Sequence, residues 1–250
     1  MRILLWLRND LRLHDHEPLH RALENKADIV PLYCFDPRHF GQTSFGFPKT
    51  GAYRAQFLLE TVADLRQSLQ SKGSDLVIRQ GKPEDEIPAL VKALDIDAVY
   101  WHEEVTSEET AVERGVEKAL NNLKVTSEVY WGATLFHPDD LPFDINKLPE
   151  VFTHFRKSAE KESQIFPPFP APDKLSALPE GLDAGALPAL SDFGLEKASI
   201  DPKGVLAFKG GESEGLKRLQ HYFWDADRLQ VYKETRNGML GADYSSKFSP

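Results

Sequence analysis

Four glutamates and a histidine crowd residues 102–109 (HEEVTSEE). Carboxylates at that density suit acid–base work, acceptance of N–H groups from a ligand, or metal binding. Glu108 and Glu109 have a second explanation, because acids are favoured in the first turn of the helix that begins here. Glu103 and Glu104 do not, and they are the functional candidates of this loop. Apart from the adjacent His102 no histidine stands at ligand spacing, so no metal centre is expected. A second constellation, Arg8, Asp10, Arg12 and Asp15 (RNDLRLHD), alternates charge directly after an apolar run. A structural ion-pair network at a sheet edge is the expected reading, with ligand contact as the alternative. At residues 245–249 three serines, Ser245, Ser246 and Ser249, surround Lys247. Small hydroxyls and successive backbone N–H groups beside one cation suit a phosphate or pyrophosphate, and a serine-rich turn is the competing reading. Cys34 lies inside an apolar run and reads as a small buried hydrophobe rather than a nucleophile.

The elements that must position these groups follow from apolar spacing. Residues 2–7, 29–35, 76–80, 98–102 and 125–131 are short apolar or β-branched runs and predict five strands. Residues 17–25, 51–72, 83–94 and 107–122 carry helical periodicity between them. Pro83 suits a first turn, Pro88 predicts a kink, and Ser107 is the expected N-cap of the last helix. Strand, helix, strand in repetition implies an α/β fold: a doubly wound, mostly parallel, Rossmann-like five-stranded sheet. Ligands in such sheets sit beyond the carboxyl ends of the strands, where both polar loops emerge. Neither G-x-G-x-x-G nor G-x-x-x-x-G-K-[ST] is present, which argues against an ordinary dehydrogenase or NTPase.

The expected division is an α/β domain over 1–135 and a connector over 136–210, then the opening of a helical domain over 211–250. The connector is rich in proline and holds one expected helix, 151–162, with Phe152, Phe155, Phe166 and Phe169 as expected anchors on the first domain. A helical pattern resumes over 212–223. The net charge of −9 argues against a chain that coats nucleic acid over its whole surface, though a local basic groove stays open. A single cysteine excludes an internal disulfide and a cysteine-based zinc site, and suggests a reducing, cytoplasmic setting. No apolar run approaches the roughly 18 residues that would span a bilayer. The N-terminal run is too short for a signal peptide, and charges follow it where a cleavage site should stand.

Several longer patterns occur together in one order: RNDLRLHD after the first strand, CFDPR at 34–38, and FPKTGAYRAQFLLETVADLRQSL at 47–69. FTHFRK at 152–157 and TRNGMLGADYSSKFSP at 235–250 complete them. Together they resemble the photolyase/cryptochrome flavoproteins, the cryptochrome-DASH branch in particular, over essentially the whole chain. The resemblance implies an α/β domain carrying an antenna pigment, a long linker, and a helical domain holding FAD. It implies light-driven splitting of cyclobutane pyrimidine dimers by reduced FAD, acting in the DASH branch mainly on single-stranded DNA. Tyr232 and the run Ser245, Ser246, Lys247, Phe248 and Ser249 match the family's FAD-phosphate contacts. Phe248 stands where leucine is usual. The antenna is expected to be 5,10-methenyltetrahydrofolate, with Glu104 as the first acceptor for its pterin ring and Glu103 and Ser107 behind it. Thr106 and Ser107 replace an Asn-Glu pair of classical photolyases. Arg8, Asp10 and Arg12 match a signature taken as structural. None of the four tryptophans falls at a position of the family's electron-transfer chain, and the lesion pocket lies beyond Pro250. The 250-residue chain alone, read as a fragment, is therefore expected neither to hold FAD tightly nor to repair DNA. A photoreceptor without repair activity and a stand-alone pigment-binding module are the alternatives.

Overall fold

Five short apolar runs bounded by polar turns form five strands: β1 (Arg2–Leu7), β2 (Asp28–Phe35), β3 (Val77–Gln80), β4 (Ala98–His102) and β5 (Thr126–Tyr130). The computed structural model describes residues 1–197, 199 and 208–236. The strands make one sheet in the order β3-β2-β1-β4-β5, with every neighbouring pair parallel. Parallel neighbours need long crossovers. These are α1 (Glu17–Glu24), α2 (Ala52–Ser71), α3 (Pro83–Leu94) and α4 (Ser107–Leu123).

Alternate residues of β1 sort into two cores. Ile3, Leu5 and Leu7 pack with Leu19 of α1 and Val62, Leu65 and Leu69 of α2. Leu4 and Trp6 pack on the opposite face with Ile87 and Val91 of α3 and Val116 and Leu120 of α4. Burial on both faces is why the central strands are unbroken apolar runs rather than alternating ones. The chain builds outward from β1 to β3 on one side, then crosses to β4 and β5 on the other. The reversal between β1 and β4 is the topological switch point of the sheet.

One local expectation is corrected. Ser107 is not the N-cap of α4 but its first residue; Thr106 holds the cap position in extended backbone without a side-chain cap bond. Glu108 and Glu109 in the first turn meet the positive helix end instead. Pro88 stands inside the continuous helix α3. It lies early in the helix, where a missing N–H leaves only the Glu84 carbonyl without its bond.

Beyond β5 the one longer helix is α5 (Phe152–Glu162), after which the chain straps across the α/β domain. Asp15 N–H donates to the Phe169 carbonyl (2.7 Å), Leu175 N–H to Lys72 (2.9 Å) and Ile78 N–H of edge strand β3 to Ala184 (2.7 Å). Arg66 donates to the Gly185 carbonyl (2.8 Å), and Phe193 stacks flat on Phe40 at 3.8 Å. The strap thereby covers one open edge of the sheet. Among the four expected aromatic anchors, Phe169 serves as one, packed on His20 at 4.6 Å. Phe155 instead contacts Phe143 and Phe152 within the connector. Phe152 and Phe166 are 72% and 62% exposed and anchor nothing on the first domain. Leu175, buried in one core, and Leu178 and Leu182, packed on the other, hold the strap together with these backbone bonds.

Gly185 makes this strap testable. Its φ is +75°, and a Cβ there would collide with the Ile78 carbonyl oxygen. Gly185→Ala is expected to destabilise the chain by roughly 1–3 kcal/mol, read as a lowered Tm. An unchanged Tm would mean that the strap contributes nothing to stability.

The last described elements are α6 (Glu212–Gln220), a π-helical turn over His221–Asp225, and α7 (Tyr232–Thr235). The helix expected over 212–223 is thus α-helical for nine residues and then widens. Tyr222, in the widened turn, is buried while Trp224 stays exposed.

Candidate functional site

Arg8 is the first residue after β1, and it turns its guanidinium over the Trp6 ring at 4.5 Å. It pairs there with Glu113 of α4, both side chains about nine-tenths buried. Glu113 Oε1 also accepts the backbone N–H of Glu104 (2.8 Å), just beyond β4. Asn9 Nδ2 donates to Glu104 Oε1 (2.7 Å). The backbone and one oxygen of Glu104 are therefore fixed from two directions, at the switch point. No hydrogen bond to Glu104 Oε2 is made among the described residues. Glu103 and Ser107 are exposed at the rim of the same loop. Burial, and then the charge of Glu113, raises the Glu103 carboxyl above its ordinary range. Sequence reasoning singled out Glu104 but missed Asn9 and Glu113. Glu113 carried a signal: it lies three residues before Val116 and seven before Leu120, on the apolar stripe of α4, where an unpaired acid has no reason to be.

The charged loop after β1 forms a bonded network, partly within the loop and partly with α1, β4 and α4. Asp10 Oδ1 accepts the Arg8 N–H (2.7 Å). Its Oδ2 lies 2.6 Å from His102 Nδ1 in a hydrogen bond and 2.8 Å from His16 Nε2 in a contact that is not one. Burial pushes the Asp10 carboxyl up, but attraction to His16 and hydrogen bonding from His102 more than reverse this. The group titrates well below the ordinary carboxylate range. Arg12 closes the loop on the His14 and Asp15 carbonyls.

The three ligand-type atoms of Asp10, His16 and His102 lie within 4.8 Å of one another. Their chemistry still reads as one buried carboxylate between two imidazoles, hydrogen-bonded to His102 and in close contact with His16. His16 Nδ1 accepts the Leu19 N–H (3.2 Å) and caps α1. A neutral imidazole with Nδ1 accepting carries its proton on Nε2, facing Asp10. A cation at Nε2 would require an imidazolate or a broken cap.

A cleft of about 450 Å³ opens beside this constellation, beyond the carboxyl ends of β1 and β2 and between α2 and α4. Trp6, Leu7, Tyr33 and Leu58 give it an apolar lining, and Arg8 and Asn9 form the border with Glu104. Lys49 and Glu108 both line it and pair with each other at 2.7 Å. Cys34 also lines it but is buried, and burial pushes its thiol far above the ordinary range, in keeping with an inert hydrophobe. Tyr232 opens α7 with its side chain partly exposed. Ser245, Ser246, Lys247, Phe248 and Ser249 lie outside the described residues. Among the described residues no helix is long and apolar enough to cross a membrane.

Comparison with known proteins decides the family. The family model described as DNA photolyase matches residues 3–173, well over half of the chain. The chain belongs to the DNA photolyase family. Cryptochrome DASH of Gloeobacter violaceus is 60% identical over 247 residues, covering 99% of this chain and 49% of that protein. Cryptochrome DASH of Xenopus laevis is 51% identical over 251 residues, covering 99% and 48%. The crystal structure of a Synechocystis cryptochrome superposes with a TM-score of 0.94 at 52% identity, covering all of this chain and 51% of that one. The chain spans about half the length of the curated relatives that it matches. The photolyase family acts on DNA and binds FAD, and some members carry a second chromophore; a photolyase from Sulfolobus tokodaii is described with two FAD molecules. That protein is 21% identical with a TM-score of 0.70, a likeness of fold.

Proposed function

We propose that this chain is the antenna-bearing part of a cytoplasmic, blue-light-driven flavoprotein that repairs cyclobutane pyrimidine dimers in single-stranded DNA. Residues 1–135 are assigned to the antenna domain, 136–210 to the linker and 211–250 to the start of the FAD-binding helical domain. The observation that carries the reading is the oriented carboxylate of Glu104, fixed by Glu113 and Asn9 at the switch point with Oε2 left for a ligand. A pterin presents adjacent N–H donors that one carboxylate accepts together. This supports 5,10-methenyltetrahydrofolate at this loop, with Glu103 and Ser107 on its rim. FAD phosphates are assigned to Tyr232, Ser245, Ser246, Lys247, Phe248 and Ser249 on motif alone. When bound and reduced, FAD supplies the excited electron that splits the dimer. A single strand suits this chemistry because an unpaired lesion is extruded from the stack at lower cost. The DNA contacts are assigned to the part of the relatives that this chain does not span.

Titration of the purified chain with the reduced folate, followed by near-ultraviolet absorption and fluorescence, tests the antenna. Glu104→Gln is expected to weaken binding by about tenfold or more, the worth of a hydrogen bond to a charged group. Equal affinity in wild type and variant would remove the pigment from this loop. Repair is tested with a chain extended to the relatives' length, loaded with reduced FAD and given ultraviolet-damaged single-stranded DNA under blue light. Failure to restore the dimers there would transfer the reading to a photoreceptor without repair.

A further inference from the structure

The charged loop after β1 and helix α2 grip the N-terminus of α6 by hydrogen bonds that run in both directions. Glu212, the first residue of α6, presents its two oxygens to successive amides of the loop. Leu13 N–H reaches Oε2 and His14 N–H reaches Oε1, each at 2.9 Å. In return, two carboxylates of α2 accept amides at the start of α6. Glu60 Oε2 takes Gly210 N–H (2.9 Å) and Asp64 Oδ2 takes Ser213 N–H (3.1 Å). Three carboxylates thus meet four N–H groups. Asp64 and Glu60 also place negative charge against the positive end of α6, where it is favourable. Close approach depends on the two glycines. A Cβ on Gly210 would stand 2.5 Å from Thr61 Oγ1, and one on Gly211 would stand 2.6 Å from Asp64 Cβ, at a φ of +117°.

The receiving loop is rigid from the other side. Asp10 is held by His102, with His16 in close contact, and Asn9 by Glu104. A continuous set of bonds therefore runs from the oriented Glu104 carboxylate through residues 9–14 to Glu212.

We propose that Glu212, with Glu60 and Asp64, is a latch that sets the direction in which α6 leaves the α/β domain. It fixes the orientation of everything that follows relative to the Glu104 loop. The latch is a positioning device, and none of its three residues is among those assigned to either pigment; only the naming of α6 as the start of a flavin-binding half rests on the proposed function.

The test is a distance measurement on the 250-residue chain. Nitroxide labels are placed by Lys118→Cys on α4 and Gly215→Cys on α6, where a side chain meets open space. The native Cys34 is buried with a raised pKa and does not compete for label. Double electron–electron resonance is expected to give one narrow distance distribution in the parent protein. Glu212→Ala combined with Asp64→Ala is expected to broaden it at least twofold. Glu212→Gln, which keeps one acceptor oxygen, is expected to fall between. The amides of Leu13 and His14 are expected to exchange at least tenfold faster in Glu212→Ala, while those of Leu5 and Tyr100 are unchanged.

A narrow distribution retained in the double variant, or a broad one in the parent, would overturn the proposal. So would loss of the tryptophan near-ultraviolet circular dichroism in Glu212→Ala, since a latch at the surface must leave the sheet intact. Failure of folate binding in the parent protein would count against the antenna and leave these outcomes unaffected.

Discussion

Asp10→Ala is expected to lower the stability of the chain by about 2–5 kcal/mol, because loss of the buried carboxylate leaves the His102 ring and the Arg8 amide without their acceptor, at about 1–3 kcal/mol each. His16 would also lose the carboxylate in contact with it, and His16 and His102 are only 1% and 6% exposed. At about 2–4 °C per kcal/mol for a chain of this size, Tm should fall by roughly 10 °C. Part of the effect is local, since the ring of His16 also caps α1 through Nδ1. Asp10→Asn separates charge from shape and carries a pH signature. The native Asp10 carboxyl titrates well below its ordinary value, against about 3.9 in the unfolded chain. A depressed native pKa stabilises the fold above the unfolded value and loses that contribution as pH falls through the native one. Thermal melts from pH 3 to 8 should therefore show the wild-type advantage over Asp10→Asn complete near neutrality and shrinking in acid. Parallel acid limbs for the two proteins would show that the carboxylate is not ionised as described.

Much of this was legible in the sequence, and the reasons differ by feature. β1 and β4 could be bounded to the residue because central parallel strands are buried on both faces and read as unbroken apolar runs. α3 was equally plain, framed by Pro83 and a periodic Ile87, Leu90, Val91 stripe. What the sequence hid is tertiary. His16 and His102 are 86 positions apart, and nothing local announces that both turn toward Asp10. The path of the strap could not be read because its grip on Lys72, Ile78 and Arg66 ends on its own backbone carbonyls and amides, and single residues such as Leu175 enter the core without a periodic pattern. Phe152 and Phe166 were chosen as anchors for their size, yet size gives no direction. Glu104 was singled out, together with Glu103, because it stands at a strand end with no helix to explain it. Asn9 and Glu113, which orient it, were not, although Glu113 interrupts the apolar face of α4 and could have been questioned on that ground.

That interruption gives the second large effect, a double-mutant cycle on Arg8 and Glu113. Glu113→Ala is expected to destabilise by about 3–5 kcal/mol. It leaves the guanidinium of Arg8, about nine-tenths buried, facing Trp6 without a counter-charge. Arg8→Ala should cost less, since Glu113 would still accept the Glu104 N–H. Arg8→Met with Glu113→Leu should recover most of the loss, because a buried ion pair replaced by apolar groups of similar volume is often close to neutral. Stability and ligand positioning then part company. The apolar pair leaves the Glu104 N–H without its acceptor, so the loop loses the bond that orients its carboxylate. Folate affinity in the double variant should stay about tenfold below wild type while its Tm returns to within a few degrees. Chemical denaturation of the four proteins, read beside folate titration, measures both quantities. Recovery of affinity along with Tm would mean that Asn9 alone orients Glu104 and that the buried pair serves only the fold. Recovery of neither would mean that the pair is tied to neighbours beyond Trp6 and Glu104, and that its removal disturbs the packing of α4 against the sheet.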